Sequence, residues 1–134
     1  MLKYMLDTNI IIYTIKNRPE QVRKLFRQHD EQMCISSITL GELIFGAEYS
    51  QQVERNLADI EAMTARLEVL PFDNKAAYHF GQVRAHLYNT GQPIGPYDMM
   101  IAGHARSSGL ILVTNNVREF SRVPGLILEN WAEP

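Results

Sequence analysis

The chain has 134 residues, of which 46% are hydrophobic, and its formal net charge at pH 7 is −2. This length and apolar content predict one domain over residues 1–134, with a core of its own and no room for a second domain. The near-neutral charge excludes a uniformly basic nucleic-acid binder, but it is compatible with local basic patches. Cys34 is the only cysteine, so an internal disulfide is excluded, and its apolar neighbours predict a buried thiol in a reducing compartment.

Polar residues interrupt the apolar stretch near the N-terminus. Asp7 and Asn9 leave no run long enough for the apolar part of a secretion signal or for a membrane span. We therefore expect a cytoplasmic protein without a membrane segment.

The first strand and the turn that follows it organise the chain. Residues 4–6 are apolar, which is typical of a strand covered on both faces in a parallel sheet, and residues 10–15 predict a short helix. Asp7, Thr8 and Asn9 lie between them, at the carboxyl end of the strand, where open α/β sheets bind ligands. Asp7 has two interpretations here, as the N-cap of the helix or as a functional carboxylate.

The next stretch predicts a turn, two helices and a strand. The turn covers residues 16–19, and the first helix runs from Pro19 to about Gln28. A short strand over residues 33–35 is followed by two serines, which are suited to cap a helix over residues 38–47.

Glu42 lies in an unexpected position on that helix. Ile38, Glu42 and Phe45 are spaced by four and three residues, which predicts that the acid shares an inward stripe with two apolar side chains. A buried carboxylate costs free energy unless it is paired or bound to a metal. The pattern leaves two interpretations open, a functional acid or a residue at the exposed edge of the stripe.

The middle of the chain predicts one long amphipathic helix over residues 49–66, because apolar residues recur there at helical spacing. A strand over residues 67–70 and a helix over residues 74–90 follow, with Asp73 as the simplest cap of that helix. The alternation of strands and helices continues through this part of the chain.

The last third predicts a packed helix and two strands. Asp98 lies in the first turn of a helix that runs to about Ser108, and the small residues around Gly103 predict close packing of this helix on the sheet. The N-terminus of a helix stabilises an anion, which is also the structural explanation for this acid. Residues 110–113 and 126–128 predict strands, and the alternating order predicts a right-handed, doubly wound parallel sheet.

Four acids that are distant in sequence are candidates for one shared cavity. They are Asp7, Glu42, Asp98 and Glu119. Carboxylates that lie close together raise one another's pKa, so an ionised cluster is stable only with a cation among its members. Because no cluster of Cys or His is evident for a softer metal, the oxygen ligands favour Mg²⁺ or Mn²⁺.

Four segments of the chain resemble the PIN domain and, more narrowly, the VapC toxins of bacterial toxin–antitoxin pairs. The segments, which follow the family's order and extend the match from the first strand to Trp131, are residues 5–9, 36–47, 95–102 and 113–120. The resemblance implies an α/β fold, a PIN-like three-layer α/β/α domain with a central twisted parallel sheet of four to five strands.

The resemblance also implies a metal-dependent endoribonuclease. In it, Asp7, Glu42 and Asp98 hold the ion, and Glu119 supplies a further carboxylate directly or through water. The polar residues that would support these ligands are Thr8, Asn9, Thr114, Asn115 and Asn116. Many PIN domains have an aspartate where this chain has Asn116, so the resemblance leaves open whether one or two ions bind.

The implied substrate is RNA, and for the enteric-type VapC toxins it is the anticodon stem-loop of initiator tRNA. The implied partners are a second copy of the chain and a VapB-type antitoxin whose tail fills the acidic site. The apolar residues that would accept this tail are Ile44, Phe45, Tyr49, Leu57 and Ile60. The basic residues that would contact phosphates, each of which is also typical of a solvated surface charge, are Lys16, Arg18, Arg84, Arg106, Arg118 and Arg122.

Two other classes of function are compatible with parts of the sequence. A non-catalytic module with the PIN fold would keep the acids and bind RNA or protein without cleavage. An aspartyl-phosphate phosphatase or receiver also places an aspartate after its first strand. Asn9 in place of a second acid and the lack of a lysine near the last core strand argue against that class.

Overall fold

The computed structural model describes residues 1–16 and 19–132. Two residues of the predicted turn over 16–19, Asn17 and Arg18, lie outside the described residues. Arg18 is also one of the candidate phosphate contacts, and that prediction stays open.

The described part of the chain forms one parallel sheet of five strands. They are β1 (Tyr4–Leu6), β2 (Met33–Ser36), β3 (Glu68–Leu70), β4 (Ile111–Val113) and β5 (Leu128–Glu129). Their order in the sheet is β3-β2-β1-β4-β5, which places β1 at the centre. The predicted fold class and the central position of the first strand are confirmed.

Helices cover both faces of this sheet. They are α1 (Thr8–Lys16), α2 (Glu20–Gln28), α3 (Ser37–Glu48), α4 (Val53–Thr64), α5 (Asn74–Asn89), α6 (Pro96–Ser107) and α7 (Val117–Phe120). None of the helices in the described ranges is long and apolar enough to cross a bilayer.

Two apolar clusters lie on opposite faces of the sheet and produce three layers. Tyr4 and Leu6 belong to one cluster, with residues from α1 to α4, whereas Met5 belongs to the other, with residues from α5 to α7. This division follows from the alternation of side chains along a strand. Cys34 is buried in the second cluster as a free thiol, as its apolar neighbours predict.

The predicted inward stripe of Ile38, Glu42 and Phe45 is wrong for Phe45, whereas Ile38 is half-buried against the second cluster. The buried residues of α3 are Thr39, Leu43 and Ala47, while Phe45 is 66% exposed. Helical spacing shows which residues share a face, but it does not show which face meets the core. Glu42 is therefore half-buried in a cleft rather than misplaced in an apolar interior.

The predicted helix over residues 49–66 starts too early and ends too late, since α4 covers Val53–Thr64. Ser50 forms a turn before it: its hydroxyl donates to the carbonyl of Ala47 at 2.6 Å and accepts from the side-chain amide of Asn56 at 2.9 Å. Local bonds of this kind compete with helix continuation. The final strand also differs from the prediction, because it pairs at Leu128 and Glu129 rather than starting at residue 126.

Helix α6 is positioned by a close approach to α5. A Cβ atom at Gly103 would lie 2.6 Å from the backbone nitrogen of Phe80, so only glycine fits at this crossing. The predicted close packing is therefore present, but at Gly103 its partner is α5 rather than the sheet. Ala102 and Ala105 are buried in the cluster that contains strand residues. This packing holds the first turn of α6 near the end of the sheet.

Candidate active site

Asp7 is buried at the carboxyl end of β1. Its Oδ1 accepts the backbone N–H of Ile10 at 2.9 Å, and its Oδ2 accepts the hydroxyl of Thr114 at 2.5 Å. The capping interpretation of Asp7 is therefore correct. Burial raises the pKa of Asp7 from 3.8 to about 6; the two hydrogen bonds oppose this shift, and the charges of Asp98 and Glu42 add to it. The raised pKa means that the surroundings of Asp7 disfavour its ionised form, even though the carboxylate caps a helix.

Asp98 lies half-buried in the first turn of α6. Its pKa is raised from 3.8 to about 6, mainly by burial and also by the negative charges of Glu42 and Glu119. The positive end of the helix favours an ionised acid, so its surroundings outweigh this stabilisation. Asp98 is thus a second acid whose ionised form is disfavoured at the same edge of the sheet.

Glu42 and Glu119 complete the group from two other helices. Glu42 lies on α3, and its Oε1 accepts the hydroxyl of Thr8 at 2.7 Å, which joins α1 to α3. Glu119 is half-buried on the short helix α7, after β4. The structure therefore brings all four predicted acids into one shared electrostatic environment.

The chemistry of this donor set fits a hard divalent cation, but its present side-chain positions form no closed cage. In residues 1–16 and 19–132, no three His, Cys, Asp or Glu side chains lie close enough together to hold one ion. All the donors are carboxylate or hydroxyl oxygens, as Mg²⁺ and Mn²⁺ prefer. A cation among them would offset the burial and repulsion that raise the pKa values of Asp7 and Asp98.

The asparagines predicted to support the acids have different surroundings. Asn9 is exposed, and the backbone N–H of Asn116 donates to the hydroxyl of Thr114 at 2.9 Å. The Nδ2 of Asn115 donates to the phenol oxygen of Tyr13 at 2.8 Å, and its buried Oδ1 has no hydrogen-bond partner. Within the described ranges, threonine hydroxyls rather than these amides donate hydrogen bonds to the acids.

Arg106, one of the candidate phosphate contacts, is occupied by neighbouring side chains and backbone. Its guanidinium donates to Nδ1 of His79 at 3.0 Å, to Oε1 of Gln82 at 2.6 Å and to the carbonyl of Pro124 at 3.0 Å. It follows Asp98 by eight residues on α6, about 12 Å at the rise of an α-helix. These contacts give Arg106 a structural role between α5, α6 and the C-terminal segment.

The other two principal basic candidates differ in their surroundings. The guanidinium of Arg84 lies 5.1 Å from the centre of the Tyr88 ring on α5. Arg118 is exposed on α7, directly before Glu119. Arg118 is therefore the arginine that lies beside one of the acids, and its contact with RNA stays a prediction.

Glu42 lines two cavities of different character. The first, which we call the apolar groove, has a volume of about 280 Å³ between α1, α3 and α4, and its aliphatic lining residues are Ile12, Ile15, Leu43, Ala47 and Ile60. The second, which we call the aromatic cleft, has a volume of about 680 Å³, and its lining residues are Thr8, Ser37, Ile38, Gly41, Glu42, Phe45 and Tyr97. Tyr97 is absent from the predicted site, although its position directly before Asp98 in the sequence indicates that it lies near this acid.

Comparisons with known proteins give the family. The family model of the PIN domain matches residues 4–126. The chain is 60% identical to the tRNA(fMet)-specific endonuclease VapC of Salmonella typhimurium over 98% of this chain and 99% of that protein, and 61% identical to the protein of that name from Shigella flexneri over 98% and 100%. The crystal structure of DNA-bound VapBC from Salmonella typhimurium matches with a TM-score of 0.94 at 60% identity, covering 98% of this chain and 99% of that one. The predicted resemblance is confirmed, and the chain belongs to the PIN-domain family and, within it, to the VapC ribonucleases.

Proposed function

We propose that this chain is a VapC-type toxin that cleaves RNA with Mg²⁺ or Mn²⁺ at its acidic edge, and that initiator tRNA is its substrate. One observation carries the proposal: two buried or half-buried aspartates, Asp7 and Asp98, share this edge, and the pKa of each is raised to about 6 by burial and by neighbouring acids. Carboxylates with pKa values perturbed in this way are typical of functional sites. The names of the relatives from Salmonella typhimurium and Shigella flexneri support the choice of tRNA.

The residues that would hold the metal are Asp7, Glu42 and Asp98, with Glu119 as a further carboxylate. When bound, the metal would lower the pKa of a water molecule and neutralise charge on the phosphoryl oxygens. The chain itself orients two of these ligands, because Thr114 donates to Asp7 and Thr8 donates to Glu42. Fixing a carboxylate in this way limits the reorganisation needed when an ion binds.

The proposed substrate must approach an edge that repels it. The acids carry the same sign of charge as RNA phosphates, so the ionised site disfavours RNA until a cation is bound. Arg118, which is exposed and directly precedes Glu119 on α7, would offset part of this repulsion. Cleavage in the anticodon stem-loop would inhibit translation.

The proposed protein partner is a VapB-type antitoxin. It is supported by solved VapBC complexes from Salmonella typhimurium and Rickettsia felis, which match this chain with TM-scores of 0.94 and 0.91. The apolar groove suits the tail of such a protein, because aliphatic side chains and Glu42 line it. Of the predicted tail contacts, Ile60 lines this groove, whereas Phe45 lines the aromatic cleft. A basic side chain of the tail would pair with the acids. A homodimer of the toxin is the assembly that we expect.

The test compares the wild type with Asp7→Asn on total tRNA, with Mg²⁺ and with a chelator. We expect a discrete cleavage product from the wild type with Mg²⁺ only, and none from the variant. Asp73→Asn is the matched control, because Asp73 also follows a strand and caps a helix, with its Oδ1 2.9 Å from the backbone nitrogen of Ala76. Cleavage that survives chelation or Asp7→Asn would refute the mechanism. Binding of tRNA without cleavage by the wild type would favour a non-catalytic module.

A further inference from the structure

We propose that Phe45 and Tyr97 stack on an unpaired nucleobase of the RNA substrate and thereby position the adjacent phosphate at the acidic edge. This inference rests on the proposed ribonuclease function and adds a nucleobase subsite to it. The subsite is the aromatic cleft, which the acid site shares through Glu42 and Thr8.

The first observation is the exposure of two large aromatic side chains beside the acids. Phe45 is 66% exposed on α3, and Tyr97 is 57% exposed in the first turn of α6. Both line a cleft of about 680 Å³, which is within the range of about 300–1,000 Å³ for small-ligand sites. Neither ring contributes to the apolar clusters between helices and sheet. Their place at the cleft is therefore explained by a ligand better than by packing.

The two aromatic side chains are placed at the cleft by different features of the fold. Phe45 stacks on Tyr49, with ring centres 5.6 Å apart and planes 13° from parallel. Tyr97 directly precedes Asp98, so the turn that places this acid also places the backbone of Tyr97. A base stacked on either ring would lie in the cleft that Thr8 and Glu42 also line.

Gly41 keeps the cleft open. A Cβ atom at this position of α3 would have no neighbouring atom within 4 Å, so packing does not require a glycine here. A glycine inside a helix is less favourable than alanine. The open space in front of Gly41 is part of the aromatic cleft, and a side chain there would narrow it.

The chemistry of the cleft favours a nucleobase over a peptide. Proteins recognise single-stranded RNA by stacking unpaired bases on aromatic rings, which tolerates any base because each has a π-face. The neighbouring apolar groove is lined by aliphatic side chains together with Lys16, Asn56 and Asp59, and it suits a protein segment. The two cavities that share Glu42 therefore fit two different ligands, and we assign the aromatic one to RNA.

A binding experiment tests the stacking directly and does not depend on cleavage. The probe is the anticodon stem-loop of initiator tRNA with 2-aminopurine placed singly at each loop position, added to Asp7→Asn with Mg²⁺. Stacking on an aromatic ring quenches this fluorophore, so we expect quenching at one loop position. Adding Phe45→Ala or Tyr97→Ala should remove the quenching at that position, whereas Tyr97→Phe should keep it.

Steady-state cleavage of the unmodified stem-loop provides the second readout. We expect Tyr97→Ala and Phe45→Ala to lower kcat/KM by roughly ten- to hundredfold, as base–aromatic contacts do, with Tyr97→Phe close to the wild type. Gly41→Leu should block the cleft and give a similar loss without destabilising the helix. The matched control is Tyr78→Ala, since Tyr78 is 76% exposed on α5 and does not line the cleft.

The outcomes separate this inference from the proposed function. If the wild type cleaves, Asp7→Asn does not, and both alanine variants behave like Tyr78→Ala in quenching and cleavage, the subsite is wrong and the ribonuclease stands. If the alanine variants weaken binding of an antitoxin and leave RNA binding unchanged, the cleft is a protein site and the inference is overturned. If the wild type cleaves nothing, the proposed function fails, whatever the quenching shows.

Discussion

The neighbouring strands β1 and β2 both end in buried polar residues, and the two ends differ in how well those residues are satisfied. At the end of β1, burial raises the pKa of Asp7 to about 6. At the end of β2, the hydroxyl of Ser36 lies 2.8 Å from Nδ1 of His104 and accepts the backbone N–H of Ile38 at 3.0 Å. Burial lowers the pKa of His104, although the charge of Asp73 acts in the opposite direction. The lowered pKa keeps the imidazole neutral.

The polar residues at the end of β1 are typical of a functional site, whereas those at the end of β2 are typical of a structural one. The Ser36–His104 pair is neutral and hydrogen-bonded, as stable buried polar groups are. The Asp7 carboxylate is buried, and the charges of Asp98 and Glu42 add to the cost of ionising it, which reduces stability unless a cation is present. Changes at the two strand ends should therefore move activity and stability in opposite ways.

The largest effect is expected for Asp7→Asn. Loss of this carboxylate should lower the rate of RNA cleavage by more than the roughly 10–100-fold that follows loss of a group supporting a metal ligand. In chelator, the thermal midpoint should stay the same or rise, because asparagine also caps helices and one repelling charge is gone. Initial cleavage rates and thermal unfolding measure the two effects. A large fall in the midpoint would show that Asp7 is structural.

His104→Ala should have the reverse pattern. The imidazole is 2% exposed and packs against the Phe72 ring, with centroids 5.5 Å apart. Removing it leaves a cavity and takes a partner from Ser36, so we expect the free energy of unfolding to fall by about 2–4 kcal/mol. Denaturant unfolding gives this value, and kcat/KM measured well below the midpoint should stay close to the wild type. A severe loss of activity in folded protein would mean that this strand end is also part of the site.

The raised pKa of Asp7 should make the stability of the protein depend on pH. The pKa of Asp7 in the folded protein is about 6, above its ordinary 3.8, so the native state binds the proton more tightly than the unfolded state. This tighter proton binding stabilises the folded protein fully below pH 3.8, and the stabilisation is lost as the pH rises through about 6.

In chelator, Asp7→Asn should therefore be more stable than the wild type at neutral pH, by about 2 kcal/mol, with the difference vanishing near pH 4. Thermal unfolding of both proteins from about pH 4 to about pH 8 measures this difference. The stabilisation by Mg²⁺ should be present above about pH 6 and lost below it, because the ion binds the ionised acids. A wild-type profile parallel to that of the variant would contradict the raised pKa.

The sequence was sufficient for the sheet and for the position of Asp7 where β1 ends, while the shared role of the four acids stays a prediction. Continuous apolar runs mark β1 and β4, and polar residues follow directly where each strand ends. Short connections between alternating elements then bring these ends to one edge. The positions of the strand ends could be predicted because they do not depend on side-chain packing within each layer.

The sequence was insufficient for the facing of α3 and for the cleft. The core face of this helix contains Thr39 and Ala47 beside Leu43, whereas the large apolar side chain of Phe45 lies at the cleft. Hydrophobicity therefore indicated the wrong face. The cleft depends on Tyr97 of α6 lying near α3, and this tertiary arrangement has no local signal in either helix.

The smallest effect is expected at Thr8, whose hydroxyl donates to Oε1 of Glu42 at 2.7 Å. Thr8→Val keeps the shape of the side chain and removes the hydroxyl, so Glu42 loses the bond that orients it. We expect cleavage to fall roughly tenfold, at the lower end of the range for groups that support a metal ligand, and the apparent affinity for Mg²⁺ to fall with it.

Thr14→Val is the matched control for this prediction. Thr14 lies on the same helix, but its hydroxyl donates to the carbonyl of Ile10 at 2.8 Å rather than to an acid. Equal losses in the two variants would mean that α1 matters only as a scaffold. A loss confined to Thr8→Val, reduced at high Mg²⁺ concentration, would mean that the hydroxyl acts through the position of Glu42. On α1, the hydrogen bond from Thr8 to Glu42 would then support activity, whereas the hydrogen bond from Thr14 to the carbonyl of Ile10 would support stability.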